Sequence, residues 1–467
     1  MARIAIIDLG SNAIRAAVYD DQTLGAAEIY NDKFRNDILG LLELDDLDIK
    51  HPVYLAIQYF TNIFKKLDVT TVSCVATAVL RDHPSAKEFA RIVHEKYGLE
   101  IDIISGDREA YLMAAGLISG VTDADGIAAD LGGGSLELAE INDKKVGHLR
   151  SLPLGTKFID QNMKIEELAQ IISSVFPHDK KCKNLYLIGG ALRFIGRHYM
   201  EFVQYPLRNL HNLEIDGSDF LIYLEKLDSI AKIKSAYQAR RIDERAILVA
   251  RSLMKVLQPS KVVVSNYGLK EGVRFDTLSS QEQAKDIIFE RCKRLTSFNS
   301  KTCRLDKYHE LVSELLIEPD KLTSKVIDLT IILASFSQNT DRALKANFTS
   351  EFILSSDIPF NHRLRLMLAL SLSHAFSSRS DLYINKLARK VLSKLDYHNS
   401  QILGNILRVA REVDGPEFKE PSFALILHDR YIEIEAVEIL PKPIFDTICE
   451  RLKDIAYARK NARYSLR

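Results

Sequence analysis

The chain has 467 residues, too many for a single hydrophobic core, so several domains are expected. Apolar residues make up 46% of it and charged residues 27%, an ordinary globular composition that excludes extensive disorder. Lys plus Arg and Asp plus Glu both number 63, so no overall charge points to nucleic acid or to a membrane surface.

The cysteines and the lengths of the hydrophobic runs limit the cellular locations that are expected. The five cysteines are scattered without a CxxC pair, which disfavours a disulfide framework or a zinc site and fits a reducing cytoplasm. The chain begins directly with a predicted strand rather than a signal peptide, and no apolar run approaches the roughly 20 residues that span a bilayer. We therefore expect a cytoplasmic protein with neither a membrane nor a nucleic-acid partner.

The first predicted elements are two strands joined by a tight polar loop. Residues 3–7 form an apolar run typical of a buried strand, and the alternation over 14–18 indicates a second strand. Between them lies the sequence Asp-Leu-Gly-Ser-Asn at 8–12. Its small residues predict a close turn between the two strands.

Helices and strands then alternate, which predicts a mostly parallel α/β sheet. The elements are a helix at 52–66, a strand at 71–76, a helix at 85–97 and a strand at 100–104. Residues 105–110 open the next helix, with Ser105 or Asp107 as its N-cap.

A second Asp-Leu-Gly loop, richer in glycine, occupies residues 130–137 between two further strands. Its three glycines allow consecutive N–H groups to point at one anion, and the flanking Asp130 and Glu137 suit a hydrated Mg²⁺ ion. The alternative is a glycine-rich hairpin turn. Because the loop at 8–12 repeats the pattern, we favour a phosphate-binding pair of loops in two related lobes.

Facing loops of this kind would form a cleft at the carboxyl ends of the strands. Asp130 and Glu137 would hold a divalent cation there, and Asp8 either does the same or anchors its own turn. Glu109 follows a strand at the start of a helix, where it reaches the cleft as a general base or complements the helix dipole.

Four arginines lie near strand ends or loop exits, where a guanidinium group binds phosphate or forms an ordinary ion pair. They are Arg15, Arg81, Arg193 and Arg245. No Gly-Lys-Ser/Thr loop follows the glycine-rich turns and no GxSxG motif occurs, which disfavours those mechanisms.

The second half of the chain continues the α/β pattern and then becomes helical. Strands at 185–188 and 261–264 and a helix at 242–257 precede the segment 265–272. Long helical patterns follow at 281–295, 308–316, 322–336, 363–376, 382–395 and 400–413.

The last part of the chain contains a predicted strand pair and a basic tail. A strand pair is predicted at 422–427 and 431–434, around the turn 428–430. The tail 451–467 is basic, which suits either a polyanion-binding surface or a solvated helix end.

Five of these segments, in order, resemble the motifs of the exopolyphosphatase / guanosine pentaphosphate phosphohydrolase (Ppx/GppA) family. They are residues 7–15, 77–82, 105–110, 130–138 and 265–272. Lys270 stands where the family usually has Arg. The resemblance implies a two-lobed actin-like, ribonuclease H-type ATPase-superfamily fold, with lobes at 1–123 and 124–299 and a mainly helical, degenerate HD-like domain at 300–467.

The resemblance also implies an activity, Mg²⁺-dependent hydrolysis of the terminal phosphate of inorganic polyphosphate or of the 5′ phosphate of pppGpp, by a homodimer. It makes Glu109 the base that activates water, and Asp130 and Glu137 the metal-site carboxylates. The expected phosphate contacts are Ser11, Asn12, Arg81, Gly132, Gly133, Gly134, Ser135 and Arg245.

The C-terminal region departs from the family pattern. Residues 360–363 and 407–410 resemble remnants of an HD-type domain. Where its His-Asp pair would fall the chain reads Leu-Ala-Ser at 333–335, and Arg411 replaces a later Asp. The ligands of such a metal site are missing. We expect a scaffold, a dimer surface or a polyanion-binding extension.

The leading functional hypothesis is therefore an exopolyphosphatase. A pppGpp 5′-phosphohydrolase is the alternative enzyme, and a kinase acting on an acceptor hydroxyl belongs to the same superfamily. A regulator that binds nucleotide or polyphosphate without hydrolysis is the alternative from another class, motivated by the degenerate HD-like positions.

Overall fold

The computed structural model describes most of the chain. The described residues are 2–35, 37–44, 47–160, 162–176, 182–230, 242–296, 303–336, 339–377, 383–429 and 431–465. Residue 300, Leu382, Arg430 and Arg467, which enter into the predictions above, lie outside them.

The chain divides into two compact units. One contains Met1–Tyr205 and Leu210–Ile287, and the other contains Pro206–Asn209 and Ile288–Arg467. Across the described ranges, no helix combines the length and apolarity needed to cross a membrane. The five cysteines form no disulfide.

The first lobe of the first unit is built on a five-stranded sheet in the order β3-β2-β1-β4-β5. Its strands are β1 (Arg3–Leu9), β2 (Ala13–Tyr19), β3 (Glu28–Arg35), β4 (Val69–Ala76) and β5 (Ile101–Ile103). The central strand β1 pairs antiparallel with β2 and parallel with β4. The loop joining β1 to β2 is the predicted Asp-Leu-Gly turn.

Five helices accompany this part of the chain. They are α1 (Ile38–Leu42), α2 (Pro52–Lys66), α3 (Ala78–Arg81), α4 (Ala86–Tyr97) and α5 (Gly106–Gly120). Pro52 occupies the first position of α2, where a missing N–H costs nothing. Gly98 ends α4 with a left-handed φ of 68°. Ser105 is the N-cap of α5, because its hydroxyl accepts the N–H of Arg108.

The second lobe repeats the arrangement on a six-stranded sheet in the order β10-β11-β9-β6-β7-β8. Its strands are β6 (Gly126–Leu131), β7 (Leu136–Asn142), β8 (Lys145–Leu152), β9 (Asn184–Ile188), β10 (Leu213–Asp216) and β11 (Lys261–Val264). Strand β6 pairs antiparallel with β7 and parallel with β9, as β1 does with its neighbours. The glycine-rich loop joins β6 to β7.

Six helices belong to this second part of the unit. They are α6 (Ile165–Val175), α7 (Gly189–Phe202), α8 (Gly217–Ile230), α9 (Glu244–Leu257), α10 (Leu269–Asp276) and α11 (Ser280–Gln283). Buried side chains of α6 to α9, including Phe220 and Tyr223, form one core with β6, β7 and β9.

Both sheets are mixed, so the prediction of mostly parallel sheets was wrong. In the first sheet β1–β2 and β2–β3 are antiparallel, and in the second β10–β11, β6–β7 and β7–β8 are antiparallel. The reason is local, because each Asp-Leu-Gly loop turns its strand directly back instead of leading into a crossover helix. Several elements were not predicted: strands β3 and β10 and helices α1, α3, α6, α7, α8, α10 and α15 (Lys345–Ser355).

Two crossing helices connect the lobes. Helix α5 packs on the second sheet through Met113 and Leu117, and α10 packs on the first sheet through Val273. Their backbones touch where both helices have glycine. A Cβ on Gly116 would lie 2.0 Å from the carbonyl oxygen of Gly268, and one on Gly272 would lie 1.7 Å from that of Leu112. Only glycine permits this approach.

The second unit is mainly helical. Its helices are α12 (Ile287–Arg294), α13 (Leu305–Ser313), α14 (Lys321–Leu333), α15, α16 (His362–Phe376), α17 (Tyr383–Val391), α18 (Lys394–Val413) and α19 (Lys442–Ser465). The predicted helix 281–295 is two helices, α11 and α12. Buried Arg365 on α16 donates to the carbonyls of Ile353, Ser356 and Ile358.

The late strand pair is present, as β12 (Phe423–Leu427) and β13 (Ile432–Ala436). The structure also brings together the two positions where HD-type ligands were expected. Arg411 donates to the carbonyl oxygen of Ala334 at 2.7 Å. The guanidinium group lies over the ring of Phe376.

Candidate active site

The two glycine loops face each other between the lobes. Each is closed by the same hydrogen bond over three residues, from the N–H of Gly10 to Ala13 and from that of Gly132 to Ser135. A Cβ on Gly133 would lie 2.8 Å from the side-chain Nδ2 atom of Asn12. One on Gly134 would lie 3.3 Å from the hydroxyl of Ser11. The loops therefore form one site rather than two separate turns.

Five backbone N–H groups of these loops have no acceptor in the described part of the chain. They belong to Ser11, Asn12, Gly133, Gly134 and Ser135. Successive N–H groups that no protein atom satisfies make a concavity for anions. We call the two sets the phosphate nests.

A segment that the sequence did not single out supports the second nest from behind. In this segment, residues 153–158, which we call the strap, three consecutive N–H groups bind the loop carbonyls. Gly155 donates to Gly134, Thr156 to Gly132 and Lys157 to Gly133, at 3.2, 3.0 and 2.9 Å. The carbonyl oxygens of all three loop glycines thus accept hydrogen bonds from the strap.

Arg245 lies behind the strap rather than on the nests. Its Nη1 donates to the carbonyl of Thr156 at 2.9 Å. Its Nε is buried and finds no partner within the described ranges.

Glu109 points inward from the first turn of α5 and is only 9% exposed. Arg81 donates to its Oε2 at 3.0 Å and also to the carbonyl of Ile104 at 3.3 Å. Because the side chain is buried against a guanidinium group, complementing the helix dipole is not its main interaction. Burial raises the pKa of Glu109 to about 7, against the opposing effect of Arg81 and with a smaller contribution from Asp130.

Asp130 and Glu137 are directly opposite each other on β6 and β7. Opposite residues on antiparallel strands project from the same face, so the two carboxylates are neighbours. Burial raises the pKa of both groups, and the charges of Glu109 and Asp130 raise that of Glu137 further. Ser151 on β8 donates to Glu137 at 2.9 Å and partly offsets this effect.

The first turn of α5 reaches this carboxylate pair because it begins with glycine. A Cβ on Gly106 would lie 2.7 Å from Cβ of Ser151 and 3.9 Å from the guanidinium carbon of Arg81. Glu109, Arg81, Ser151 and Glu137 are thereby held together although they come from four different elements.

The carboxylate pair suits a hydrated magnesium ion. In the described ranges no group of three or more His, Cys, Asp or Glu side chains could hold a metal by itself. Mg²⁺ usually takes one or two carboxylates together with substrate phosphate oxygens and water. Two adjacent carboxylates beside a phosphate nest, of which Glu137 is buried and Asp130 partly buried, match that donor set.

Further charged residues surround Asp130. Its pKa is lowered by Arg193 and Arg15 and raised by Asp8 and Glu271, each less strongly than burial raises it. Arg15 also pairs with Asp8 at 3.6 Å. Gly189 leaves room for the carboxylate, since a Cβ on it would lie 2.4 Å from Oδ1 of Asp130.

Sequence reasoning missed two residues of this region, Ser151 and Lys157, and included Glu271 only as part of the motif at 265–272. The Leu-Pro-Leu-Gly-Thr sequence at 152–156 was the available signal for the strap, since a Gly after a strand often marks close backbone approach. Ser151 carried no signal, because its position depends on the pairing of β7 with β8.

Comparison with known proteins gives both a family and a fold. Residues 26–281, more than half of the chain, match the family model described as the Ppx/GppA phosphatase family. The chain resembles a crystal structure of an exopolyphosphatase from Cytophaga hutchinsonii at a TM-score of 0.50, with 18% identity over 59% of this chain and 99% of that one. At this identity the similarity concerns the fold, and the predicted two-lobed actin-like fold with a C-terminal helical region is confirmed.

Two curated proteins are also similar. Retrograde regulation protein 2 of Saccharomyces cerevisiae is 22% identical over 79% of this chain and 71% of its own length. An uncharacterized protein of Streptomyces coelicolor is 28% identical over 33% of this chain and 47% of its own length.

Proposed function

Because the chain belongs to the Ppx/GppA phosphatase family, we propose that it hydrolyses the terminal phosphate of inorganic polyphosphate, with Glu109 as the general base. The observation that carries the proposal is the position of Glu109. Its buried carboxylate has a pKa near neutrality and is oriented by Arg81. It lies in the same site as the two phosphate nests, whose N–H groups have no acceptor in the described residues. A base of that pKa is suited to accept a proton at neutral pH.

The phosphate nests would bind the terminal phosphate. Unpaired N–H groups from both lobes would contact its oxygens, which excludes water from around them and fixes the phosphorus atom. Fixed donors of this kind also stabilise charge on the phosphoryl group as it transfers.

Glu109 would then take one proton from the attacking water. The water oxygen forms a bond to the terminal phosphorus, the anhydride P–O bond breaks, and the shortened chain leaves with the bonding electron pair. Arg81 keeps the Oε2 atom in position through the 3.0 Å contact. Phosphoryl transfer of this type depends mainly on positioning and electrostatics.

Asp130 and Glu137 would hold Mg²⁺. When bound, the ion neutralises charge on the phosphate oxygens and fixes their orientation. Ser151, which donates to Glu137, would keep one of the two carboxylates oriented towards the ion. Homodimerisation remains a prediction from the family resemblance, and a cytoplasmic location remains a prediction from the scattered cysteines and the hydrophobic runs.

A non-hydrolysing regulator that binds a phosphate chain is the second candidate. The similarity to retrograde regulation protein 2 favours it, since that protein is named for regulation. The buried Glu109–Arg81 pair favours hydrolysis instead, because binding alone would not need a base beside the nests.

An assay of phosphate release tests the proposal directly. We expect the purified protein to release orthophosphate from long-chain polyphosphate with Mg²⁺ and to stop when EDTA removes the ion. The same preparation should be offered pppGpp. Release from pppGpp alone would move the activity to the alternative substrate, and tight binding of polyphosphate without release would establish the regulator.

Magnesium should also change stability through the carboxylate pair. We expect Mg²⁺ to raise the Tm of the wild-type protein by a few degrees, because ligand binding at 100 times its Kd contributes about 2.7 kcal/mol. Glu137→Gln removes half of the pair and should lose most of this shift. Glu166→Gln, an exposed change on α6, is the matched control. An equal Tm shift in all three proteins would place the ion elsewhere.

A further inference from the structure

Lys157 connects the two lobes at the outer edge of the site. Its backbone N–H binds the carbonyl of Gly133 in the second lobe. Its side-chain Nζ donates to the carbonyl of Ser11 in the first lobe at 3.0 Å. One residue therefore bonds to both glycine loops, through its backbone on one side and its ammonium group on the other.

The ammonium group of Lys157 has no carboxylate partner in the described part of the chain, and the side chain is exposed. A lysine has three N–H donors, and the Ser11 carbonyl uses one of them. The two others face solvent next to the phosphate nests. Such a charge costs little to leave in water, and it is available to a ligand.

The charges inside the site differ from those at its entrance. Inside, the charges of Glu109 and Asp130 are opposed by those of Arg81, Arg193 and Arg15. The exposed entrance carries the ammonium group of Lys157, which has no carboxylate partner in the described residues. A terminal phosphate bound beside buried Glu109 leaves the rest of a phosphate chain to pass outward. The next phosphate then meets the exposed end of the site, where Lys157 lies.

We propose that Lys157 binds the second phosphate of a substrate with several phosphates and so selects chains over single phosphate groups. The ammonium group would exchange the Ser11 carbonyl for a phosphate oxygen, which makes a charge-assisted hydrogen bond. The proposal rests on the proposed function for the position of the terminal phosphate. No bond is made or broken in this step.

Binding measurements separate this role from a purely structural contact between the lobes. Titration calorimetry with Mg²⁺ should compare tripolyphosphate with orthophosphate on a Glu109→Gln background, so that no turnover occurs. We expect Lys157→Met to weaken tripolyphosphate binding about tenfold, which corresponds to about 1.4 kcal/mol, and to leave orthophosphate binding unchanged. Lys157→Arg should retain most of the affinity.

Lys145→Met is the matched control, because Lys145 is exposed at the start of β8 and has no ion pair in the described residues. Equal weakening for both ligands, or no difference between Lys157→Met and Lys145→Met, would overturn the inference. So would a failure of both ligands to bind.

Kinetics distinguish failure of the inference from failure of the proposed function. If the wild-type protein releases phosphate, Lys157→Met should raise KM for tripolyphosphate and leave kcat within about twofold, since the base is untouched. If it releases none but Lys157→Met still weakens tripolyphosphate binding selectively, the proposed hydrolysis fails and the role of Lys157 stands.

Discussion

Glu109→Gln should lower kcat for phosphate release by about 10²- to 10⁴-fold, the usual contribution of a positioned general base. The amide cannot accept the proton of the attacking water, whereas its oxygen still accepts the hydrogen bond from Arg81. We expect KM to change little, because the phosphate nests and the carboxylate pair are unaltered. Phosphate release under saturating polyphosphate and Mg²⁺ measures the effect.

The pH dependence of the wild-type protein should agree with this role. The pKa of Glu109 is raised to about 7, so its ionised fraction increases through neutrality. As a base it acts only when ionised, so kcat/KM should rise with pH in that range. The residual rate of Glu109→Gln should lack this rise.

Glu88→Gln is the control for Glu109→Gln. Glu88 is exposed on α4, where it pairs with Arg91, and it belongs to neither glycine loop nor to the carboxylate pair. Its substitution should leave kcat unchanged. Wild-type activity in Glu109→Gln would contradict the assignment of the base.

Gly155→Ala should lower kcat/KM by about 100-fold, the cost of a displacement of about 1 Å at a positioned site. Its Cβ would lie 2.3 Å from the carbonyl oxygen of Gly133 and 2.3 Å from the carbonyl carbon of Gly134. Both are backbone atoms, so the strap must move away from the loop that it supports. Overpacking of this kind also destabilises a protein by about 1–3 kcal/mol.

Denaturant unfolding and kinetics should be measured on the same samples of Gly155→Ala. Gly132→Ala is the control for folding, because its Cβ would lie 3.5 Å from the nearest atom, the Ser135 carbonyl oxygen, in ordinary contact. It should keep near wild-type stability. Unchanged kcat/KM in Gly155→Ala would show that the strap does not position the second nest.

The sequence alone located the loops well, because glycine, Asp and Glu at fixed spacing have few structural interpretations. Glu109 was harder to interpret, since an acidic residue in the first helical turn suits both the dipole and a cleft. Burial against Arg81 distinguishes them, and burial depends on the fold. The N-cap of α5 was open between Ser105 and Asp107, since both residue types cap helices. The hydroxyl of Ser105 accepts the N–H of Arg108, which identifies Ser105 as the cap.

The contacts of Ser151 and Lys157 could not be predicted in this way. Each depends on which strands pair and which lobes meet, as the misjudged parallel sheets also show. In the helical unit, the sequence indicated that HD-type metal ligands are missing, because Leu-Ala-Ser stands at 333–335 and Arg at 411. Only the structure shows Arg411 bonded to the backbone of Ala334, so that a guanidinium group lies where a carboxylate was expected.

Helices α5 and α10 touch through the backbones of their glycines, so the point at which they cross is fixed. Gly116 is seven residues from Glu109, or about 10 Å along the helix, whereas Gly272 adjoins Glu271. A rotation of about 10° at the crossing would swing the base by about 2 Å on that arm and scarcely shift Glu271. The position of the base would therefore depend more strongly than that of Glu271 on the angle at which the two helices cross.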